Sequence, residues 1–589
     1  MRCFIVMVLC GLLVSQTGDA TVPQLQESEQ AKAERVQWFR DAKFGLFIHW
    51  GPAAISGQEI SWGMKDRIEG GAKHQKVPRD EYMNLYKQFN PTNFDADGLL
   101  SLAKDAGMQY IVFVTKHHDG FSLWETKQNH FPAGADYPQR YCITDAPYEK
   151  DICKEVSEAT KKHGLKLGWY YSTRDWTHPD YLKDNNKAYN HYYENQVEEL
   201  LSDYGPVDIM WFDHCFGQWA QYTIPRLYEK MYAHNPNLLV NNRAVRGIKD
   251  VPKKYESLVS ADFDTPENRM GAYQHGRPWE SCMILSPTPD HGGWSYRPDG
   301  VTRSLDETLK LLSSCVTGDG NMLLNLAPLP DGSLKPEERA ILEGIAPWMK
   351  KHGQAIYGTR GGPWINGDWG GSTYKETESV AYLHLFEGKE IVLNRIPQSV
   401  LKAETVDGIA VPFEQGESTV TVKLPKEALD QHVSIVKLTL DAPVDGPLFA
   451  PALAGNEAHV IPGTLDFPAD EATLSDGLKL EGDTITGWSN PQDVISWDIG
   501  LDSPGKYKVQ LTTSCGQPGS IVVLNFSAKS AKGIHGPVPV TGEMENFQTY
   551  NLGEVYFPNA ETMKVRLRAG HPHAWKPVDV KGLKFIPVN

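Results

Sequence analysis

The chain lacks most of what a metal-knotted, membrane-spanning or nucleotide-cradling protein needs. Cysteine is scarce, with 8 in 589 residues. Beyond residue 20 the cysteines are Cys142, Cys153, Cys215, Cys282, Cys315 and Cys515. No two of them form a CxxC pair, which removes the usual thiolate frame of a structural zinc site. Cys142 and Cys153 could form one disulfide in an oxidising compartment, and the others fit as small core residues. Past the N-terminal leader no segment is long and apolar enough to cross a bilayer. There is no GxGxxG and no GxxxxGK[ST] loop to cradle phosphates, no nucleophile elbow, no tandem repeat and no low-complexity tract. Positive charge is also in deficit: 58 Lys and Arg against 74 Asp and Glu give a net charge of −16. That balance argues against a general nucleic-acid or anionic-membrane surface, while leaving local basic pockets open.

Aromatics, by contrast, are plentiful: 16 Trp and 25 Tyr, a load found where sugar rings are stacked, although aromatics also fill cores. The first residues carry Arg2, an apolar run over 3–14, and small residues at Gly18 and Ala20. This is the pattern of a secretory signal peptide over 1–20 and predicts export, to a periplasm or the extracellular space. A lipoprotein acylated at Cys10 is the rival reading. Leu9 directly before it, and the apolar run continuing after it, argue against that.

The run Val207-Asp208-Ile209-Met210-Trp211-Phe212-Asp213-His214, after Tyr204-Gly205-Pro206, reads as a short strand buried on both faces and ending in a carboxylate. Seven further runs read the same way, at 44–51, 110–115, 165–172, 238–243, 257–264, 279–284 and 321–326. Helical patterns at 94–107, 152–163, 186–202, 224–233, 304–317 and 336–352 mostly alternate with them. No helix is visible between the sixth and seventh strands. The alternation predicts a (β/α)8, TIM-like barrel over 21–360. An open doubly wound sheet is the alternative, without a motif to support it. Beyond Gly361 short alternating segments such as Val420-Thr421-Val422-Lys423-Leu424 predict an antiparallel β-sandwich over 361–445. A Pro-, Ala- and Gly-rich linker (441–463) leads into a second all-β unit over 446–589, which has the look of a jelly-roll carbohydrate-binding module. The fold class expected is therefore α/β: a barrel followed by two all-β sandwich domains.

Side chains at the carboxyl ends of barrel strands face the active site. Here they are His49, His117, His118, Tyr171, Trp211, Asp213, Arg243 and Glu267. One aspartate and one glutamate, with histidines and aromatics, suit glycoside hydrolysis, where one carboxylate attacks or stabilises the anomeric carbon and a second carboxyl moves a proton. Rival readings stand beside this one. Asp213 could cap a helix, Arg243 could be an ion-pair partner, and a lone histidine is usually a core or loop residue. His and Asp clusters also bind zinc in barrel hydrolases. However, the first strand offers His49-Trp50-Gly51 rather than His-x-His, and adjacent His117 and His118 do not easily turn toward one ion. Neither a metal nor a cofactor is expected.

Several longer motifs join these positions: Trp38-Phe39 with Asp41-Ala42-Lys43-Phe44-Gly45-Leu46-Phe47-Ile48-His49-Trp50-Gly51, Thr115-Lys116-His117-His118-Asp119-Gly120-Phe121, Trp169-Tyr170-Tyr171-Ser172, Trp211-Phe212-Asp213, Trp279-Glu280, Asn321-Met322-Leu323-Leu324-Asn325 and Ala355-Ile356-Tyr357-Gly358-Thr359-Arg360. On these, the stretch from Trp38 to Trp364 resembles glycoside hydrolase family 29, the retaining α-L-fucosidases. The resemblance implies that Asp213 is the nucleophile of a covalent fucosyl-enzyme intermediate. It implies further that His49, Trp62, His117, His118, Tyr171, Trp211 and Arg243 line the fucose pocket. The acid/base position varies in the family; Glu267 is the choice and Glu280 the runner-up. The expected partner is a carbohydrate with terminal α-L-fucose. One departure bears on specificity: after the seventh strand the family's Ser-Trp-Gly-Tyr is replaced by Gly293-Trp294-Ser295-Tyr296, following Pro289-Asp290-His291-Gly292. An α-L-galactosidase is therefore an alternative, since L-galactose is L-fucose with a hydroxyl on C6. A sugar-binding protein that has lost catalysis is a second alternative.

Overall fold

The computed structural model describes residues 22–68, 74–213, 215, 217–268, 277–367, 369–386, 390–444, 465–500, 505–527, 533–557 and 562–588. The predicted signal peptide and most of the linker lie outside these residues, as do residues 269–276 between the sixth and seventh predicted strands.

The helices form where apolar spacing and caps coincide. After α1 (Glu29–Ala42), helix α2 (Ala96–Asp105) buries Ala96, Leu99, Leu100 and Ala103, the i, i+3, i+4, i+7 stripe of one face. Asp95, predicted inside this helix, caps it instead, accepting from the Gly98 N–H at 2.9 Å. Helix α3 (Ile152–His163) begins at an Asp151 cap and ends at Gly164 with φ 64°, the left-handed exit that glycine favours. Helices α4 (Lys187–Asp203), α5 (Ile224–His234), α6 (Leu305–Thr317) and α7 (Pro336–His352) are the other long helices among the described residues.

Seven strands, β1 (Phe44–Ile48), β2 (Tyr110–Lys116), β3 (Lys166–Ser172), β4 (Ile209–Asp213), β5 (Leu239–Val240), β6 (Glu280–Ile284) and β7 (Asn321–Leu326), form one parallel sheet in the order β5-β4-β3-β2-β1-β7-β6. Isolated parallel bridges Asn241↔Phe263, Asp264↔Trp279 and Glu267↔Cys282 close the gap between β5 and β6. The eighth position of the barrel is thus filled by the extended stretch 263–267. The predicted sixth strand was set too early, because Glu256–Ser260 is helical. Inside the barrel Phe47, Tyr110, Val112, Tyr170, Trp211, Phe263, Cys282 and Leu323 pack together. The intervening residues of each strand face the helices, in keeping with the period of two along a strand.

Beyond the barrel, two pairs of antiparallel sheets follow, one of five and three strands and one of six and five. Each pair packs on an apolar core of its own, which makes the chain a barrel followed by two all-β sandwiches. In the last unit, strands β8 (Ile521–Phe526), β9 (Ile534–Pro537) and β10 (Thr562–Ala569) lie side by side. Cys142 and Cys153 are buried as separate thiols. Cys142 sits instead by the Thr144 hydroxyl and the Asp145 carboxylate, so the disulfide expectation fails. Among the described residues no helix is long and apolar enough to cross a membrane.

Candidate active site

A pocket of about 270 Å³ opens at the carboxyl ends of the strands. That is just below the roughly 300–1,000 Å³ of sites for drug-sized ligands, room for one small ring rather than a chain. Of the predicted residues, His49, Trp62, His117, His118, Trp211, Asp213 and Glu267 line it. Arg243 lies alongside, bonded to both carboxylates.

Asp213, the last residue of β4, is nearly buried. The Tyr170 hydroxyl donates to its Oδ2 at 2.8 Å and Arg243 Nη1 to its Oδ1 at 3.0 Å. The same Nη1 donates to Glu267 Oε1 at 3.1 Å. The two carboxylate oxygens can therefore be no farther apart than the sum of those distances. That limit on one oxygen pair is compatible with the roughly 5–5.5 Å that separates the carboxyl groups of retaining enzymes. Arg243 is itself held by Thr265, through Nε to Oγ1 (2.7 Å) and Nη2 to the carbonyl (2.8 Å). Its guanidinium also lies 4.7 Å from the Trp211 ring centroid.

Tyr171 does not belong to the pocket. On β3 Tyr170 pairs with Trp211 and Tyr171 with Phe212, so alternation turns Tyr170 inward and Tyr171 out toward α4. There its hydroxyl donates to Gln196 at 2.9 Å. Tyr170 fills the assigned role, stacked between His117 (5.5 Å, 5°) and Trp211 (5.4 Å, 20°).

The histidines can be given protons by their partners. Asn325 Nδ2 donates to the Trp294 carbonyl at 2.8 Å, which fixes its amide and leaves Oδ1 facing His49 Nδ1 at 2.7 Å. An amide oxygen only accepts, so Nδ1 carries the proton. Burial pushes His49 down to about 4, so the ring is neutral near pH 7 and its Nε2 is an acceptor. The Ser172 hydroxyl gives its hydrogen to the Arg174 carbonyl (2.8 Å), so His118 Nδ1 must donate to Ser172 Oγ at 2.6 Å. His118 Nε2 then stands 3.6 Å from Asp213 Oδ2, too far for a hydrogen bond. Burial holds His117 well below its ordinary value, and Ser61 Oγ meets its Nδ1 at 2.6 Å. Ring nitrogens of His117 and His118 and an Asp213 oxygen lie within 4.8 Å of one another, a set able to hold a metal ion. Arg243 already places a fixed positive charge on Asp213, and a dication there would meet direct repulsion. The set fits hydroxyl groups better.

Glu280 lies beneath the pocket rather than in it. Trp211 Nε1 donates to Oε1 at 2.9 Å and the Tyr110 hydroxyl to Oε2 at 2.6 Å. Both oxygens are occupied and the group is fully buried, so it supports Trp211.

Sequence reasoning missed Glu59 and Trp294. Glu59 is buried and accepts from the Gly293 and Ser295 N–H groups (2.5 and 3.1 Å). It thereby pins the loop 289–296, whose His291, Gly292 and Trp294 form one wall of the pocket together with His74. A side chain at Gly292 would come within 2.6 Å of Glu59 Oε2. Only the divergence of that loop pointed here; nothing in the run around Glu59 did.

The family model described as Alpha-L-fucosidase matches residues 13–354. The plasma alpha-L-fucosidase of Homo sapiens is 29% identical over 347 residues, 55% of this chain and 69% of the relative. An alpha-L-fucosidase GH29 from Bacteroides thetaiotaomicron, solved as a trapped covalent intermediate with 2-fluoro-fucosyl fluoride, superposes with TM-score 0.58 at 26% identity. That match covers 69% of this chain and 96% of that one. The alpha-L-fucosidase of Vibrio sp. strain EJY3 shares the fold over 95% of this chain and 98% of its own, with TM-score 0.59 and 20% identity.

Proposed function

Since the chain belongs to the α-L-fucosidase family, glycoside hydrolase family 29, we propose that it is an exported, exo-acting, retaining α-L-fucosidase with Asp213 as nucleophile and Glu267 as acid/base. The observation that carries this reading is the single Arg243 nitrogen bonded to both carboxylates, which draws them together in keeping with a retaining mechanism. In the first step an Asp213 oxygen bonds to the anomeric carbon as the bond to the leaving oxygen breaks, and Glu267 delivers its proton to that oxygen. In the second step Glu267 takes a proton from water, whose oxygen displaces Asp213. The acceptor Nε2 of His49, with His117 and His118, positions ring hydroxyls, and the indole of Trp211 offers an apolar face. A pocket with room for one ring suits removal of a terminal sugar. Export rests on the N-terminal leader, and N-terminal sequencing of secreted protein should begin just after residue 20.

Treatment with 2-fluoro-fucosyl fluoride should add one 2-deoxy-2-fluoro-fucosyl mass to the peptide holding Asp213, with loss of the anomeric fluoride, and the first sugar released from an aryl α-L-fucoside should be the α anomer. A β-anomer product would overturn the retaining assignment. In Glu267→Ala, azide should restore turnover and give the α-fucosyl azide; in Asp213→Gly it should give the β-azide. Rescue of Glu280→Ala instead would reassign the acid/base.

A second reading, α-L-galactosidase, is favoured by the polar wall of Glu59, His74 and His291. An apolar pocket discriminates against an added hydroxyl only about a hundredfold, and polar groups could welcome it. Paired aryl α-L-fucoside and α-L-galactoside substrates decide between the two. Turnover of neither, with the fold intact, would favour a sugar-binding protein.

A further inference from the structure

A second, larger cavity of about 580 Å³ lies between the outer flank of the barrel and the last β unit. On the barrel side it is lined by Asn242, Arg246 and Thr265, and on the other by Asn525, His535 and Arg568. Strand periodicity explains the second wall. Val522 and Leu524 of β8 point into the sandwich core, which leaves Val523 and Asn525 on its outer face. Val523 pairs with His535 of β9 and with Arg568 of β10, and directly opposed residues share a face.

The charge of this groove is opposite to that of the chain. Against a net −16, it gathers the guanidinium groups of Arg246 and Arg568 with the imidazoles of His535 and His571. Among its described lining residues the one acid is Asp264, which meets Asn242 Nδ2 (2.8 Å), Arg277 Nε (3.0 Å) and, at 4.0 Å, the groove's own His571 Nδ1. The groove is linked to the site through Thr265. Thr265 Oγ1 accepts from Arg243 Nε and donates to Asn242 Oδ1 at 3.1 Å, and Glu267 is two residues further along. In a glycosidase the leaving group sits on the side of the acid.

We propose that this groove binds the leaving-group side of an anionic glycan, its arginines pairing with sulfate esters or uronate carboxylates. The proposal rests on reading Glu267 as the group that protonates the leaving oxygen. It gives the last β unit a part in substrate selection that an aryl fucoside cannot reveal.

The test uses full-length mature protein and three probes in calorimetric titrations: a sulfated fucan oligosaccharide, the same oligosaccharide desulfated, and an oligouronate. Wild type should bind at least one anionic probe, at least tenfold more tightly than the neutral one, and should weaken as salt rises. Arg568→Gln with His535→Gln should lose about tenfold or more of that affinity, yet turn over an aryl α-L-fucoside within about twofold of wild type. Equal binding of the desulfated probe, unchanged affinity in the double variant, or no binding of either anion by wild type would overturn it. Anion binding without hydrolysis of any fucoside would instead sink the catalytic reading and leave the groove standing.

Discussion

Tyr170→Phe removes one oxygen and leaves the ring stacked between His117 and Trp211. The lost group is a hydroxyl that donates to Asp213 Oδ2 at 2.8 Å. Burial holds the Tyr170 hydroxyl well above its ordinary value, so it stays protonated, and a donor, across the working range. A hydrogen bond to a charged group contributes on the order of 1.5–3 kcal/mol, and each pH unit corresponds to about 1.36 kcal/mol. If the bond stabilises mainly the ionised carboxylate, its loss should raise the acidic limb of kcat/KM by about one to two pH units. The sign follows from the role: the nucleophile acts ionised, and removing a donor makes ionisation harder. The assay is the pH profile of kcat/KM on an aryl α-L-fucoside, with Tyr171→Phe as control. That variant loses a bond to the neutral Gln196 side chain, behind the strand, so its acidic limb should overlay that of wild type. A Tyr170→Phe limb that overlays wild type, or a Tyr171→Phe limb that moves as far, would refute the inward assignment.

Other substitutions test the supports of the site. Burial pushes Glu280 up to about 7 from an ordinary value near 4.5. Between those values the folded state holds a proton that the unfolded state has released, so this group makes stability fall as pH rises through that window. Glu280→Gln cannot ionise; relative to wild type it should gain on the order of 3 kcal/mol between about pH 4.5 and 7, read as the difference in unfolding free energy against pH, and a flat difference would contradict the buried titration. Asn325→Ala frees the His49 ring to turn or change tautomer. It should lower kcat/KM by about 5- to 150-fold, the range for a buried partner left unpaired, with little change in far-UV circular dichroism.

The barrel was legible because most of its signals are local. Asp95, Asp151 and Ser304 mark helix starts with hydrogen bonds to the third residue beyond, and the apolar runs of β2, β4 and β7 are buried throughout. The stretch 263–267 was misplaced because it meets its neighbours by single bridges, so no long apolar run announces it. The Tyr170–Tyr171 error has the same character. Trp169-Tyr170-Tyr171 shows no polar alternation, so only the pairing of Tyr170 with Trp211, a long-range fact, decides which ring faces inward. Glu59 is harder still, since its meaning depends on backbone N–H groups more than 230 residues away.

The neutral histidines are more than a by-product of burial. An oxocarbenium-like transition state places positive charge on the sugar ring, and a cation beside it raises the barrier. In the pocket Asp213 and Glu267 share one fixed cation, Arg243, whose Nη1 is engaged by both, while the third carboxyl of the lining, Glu59, is turned to the backbone of the 289–296 loop. Charged His49 or His117 would add further positive charge against the ring. Burial holds His49 down to about 4 and His117 well below its ordinary value, so these rings can bind hydroxyls without opposing the developing charge. The same low polarity strengthens every remaining interaction. Burial at the barrel mouth therefore does two things at once: it silences His49 and His117 and it leaves the ionised Asp213 to face the anomeric carbon.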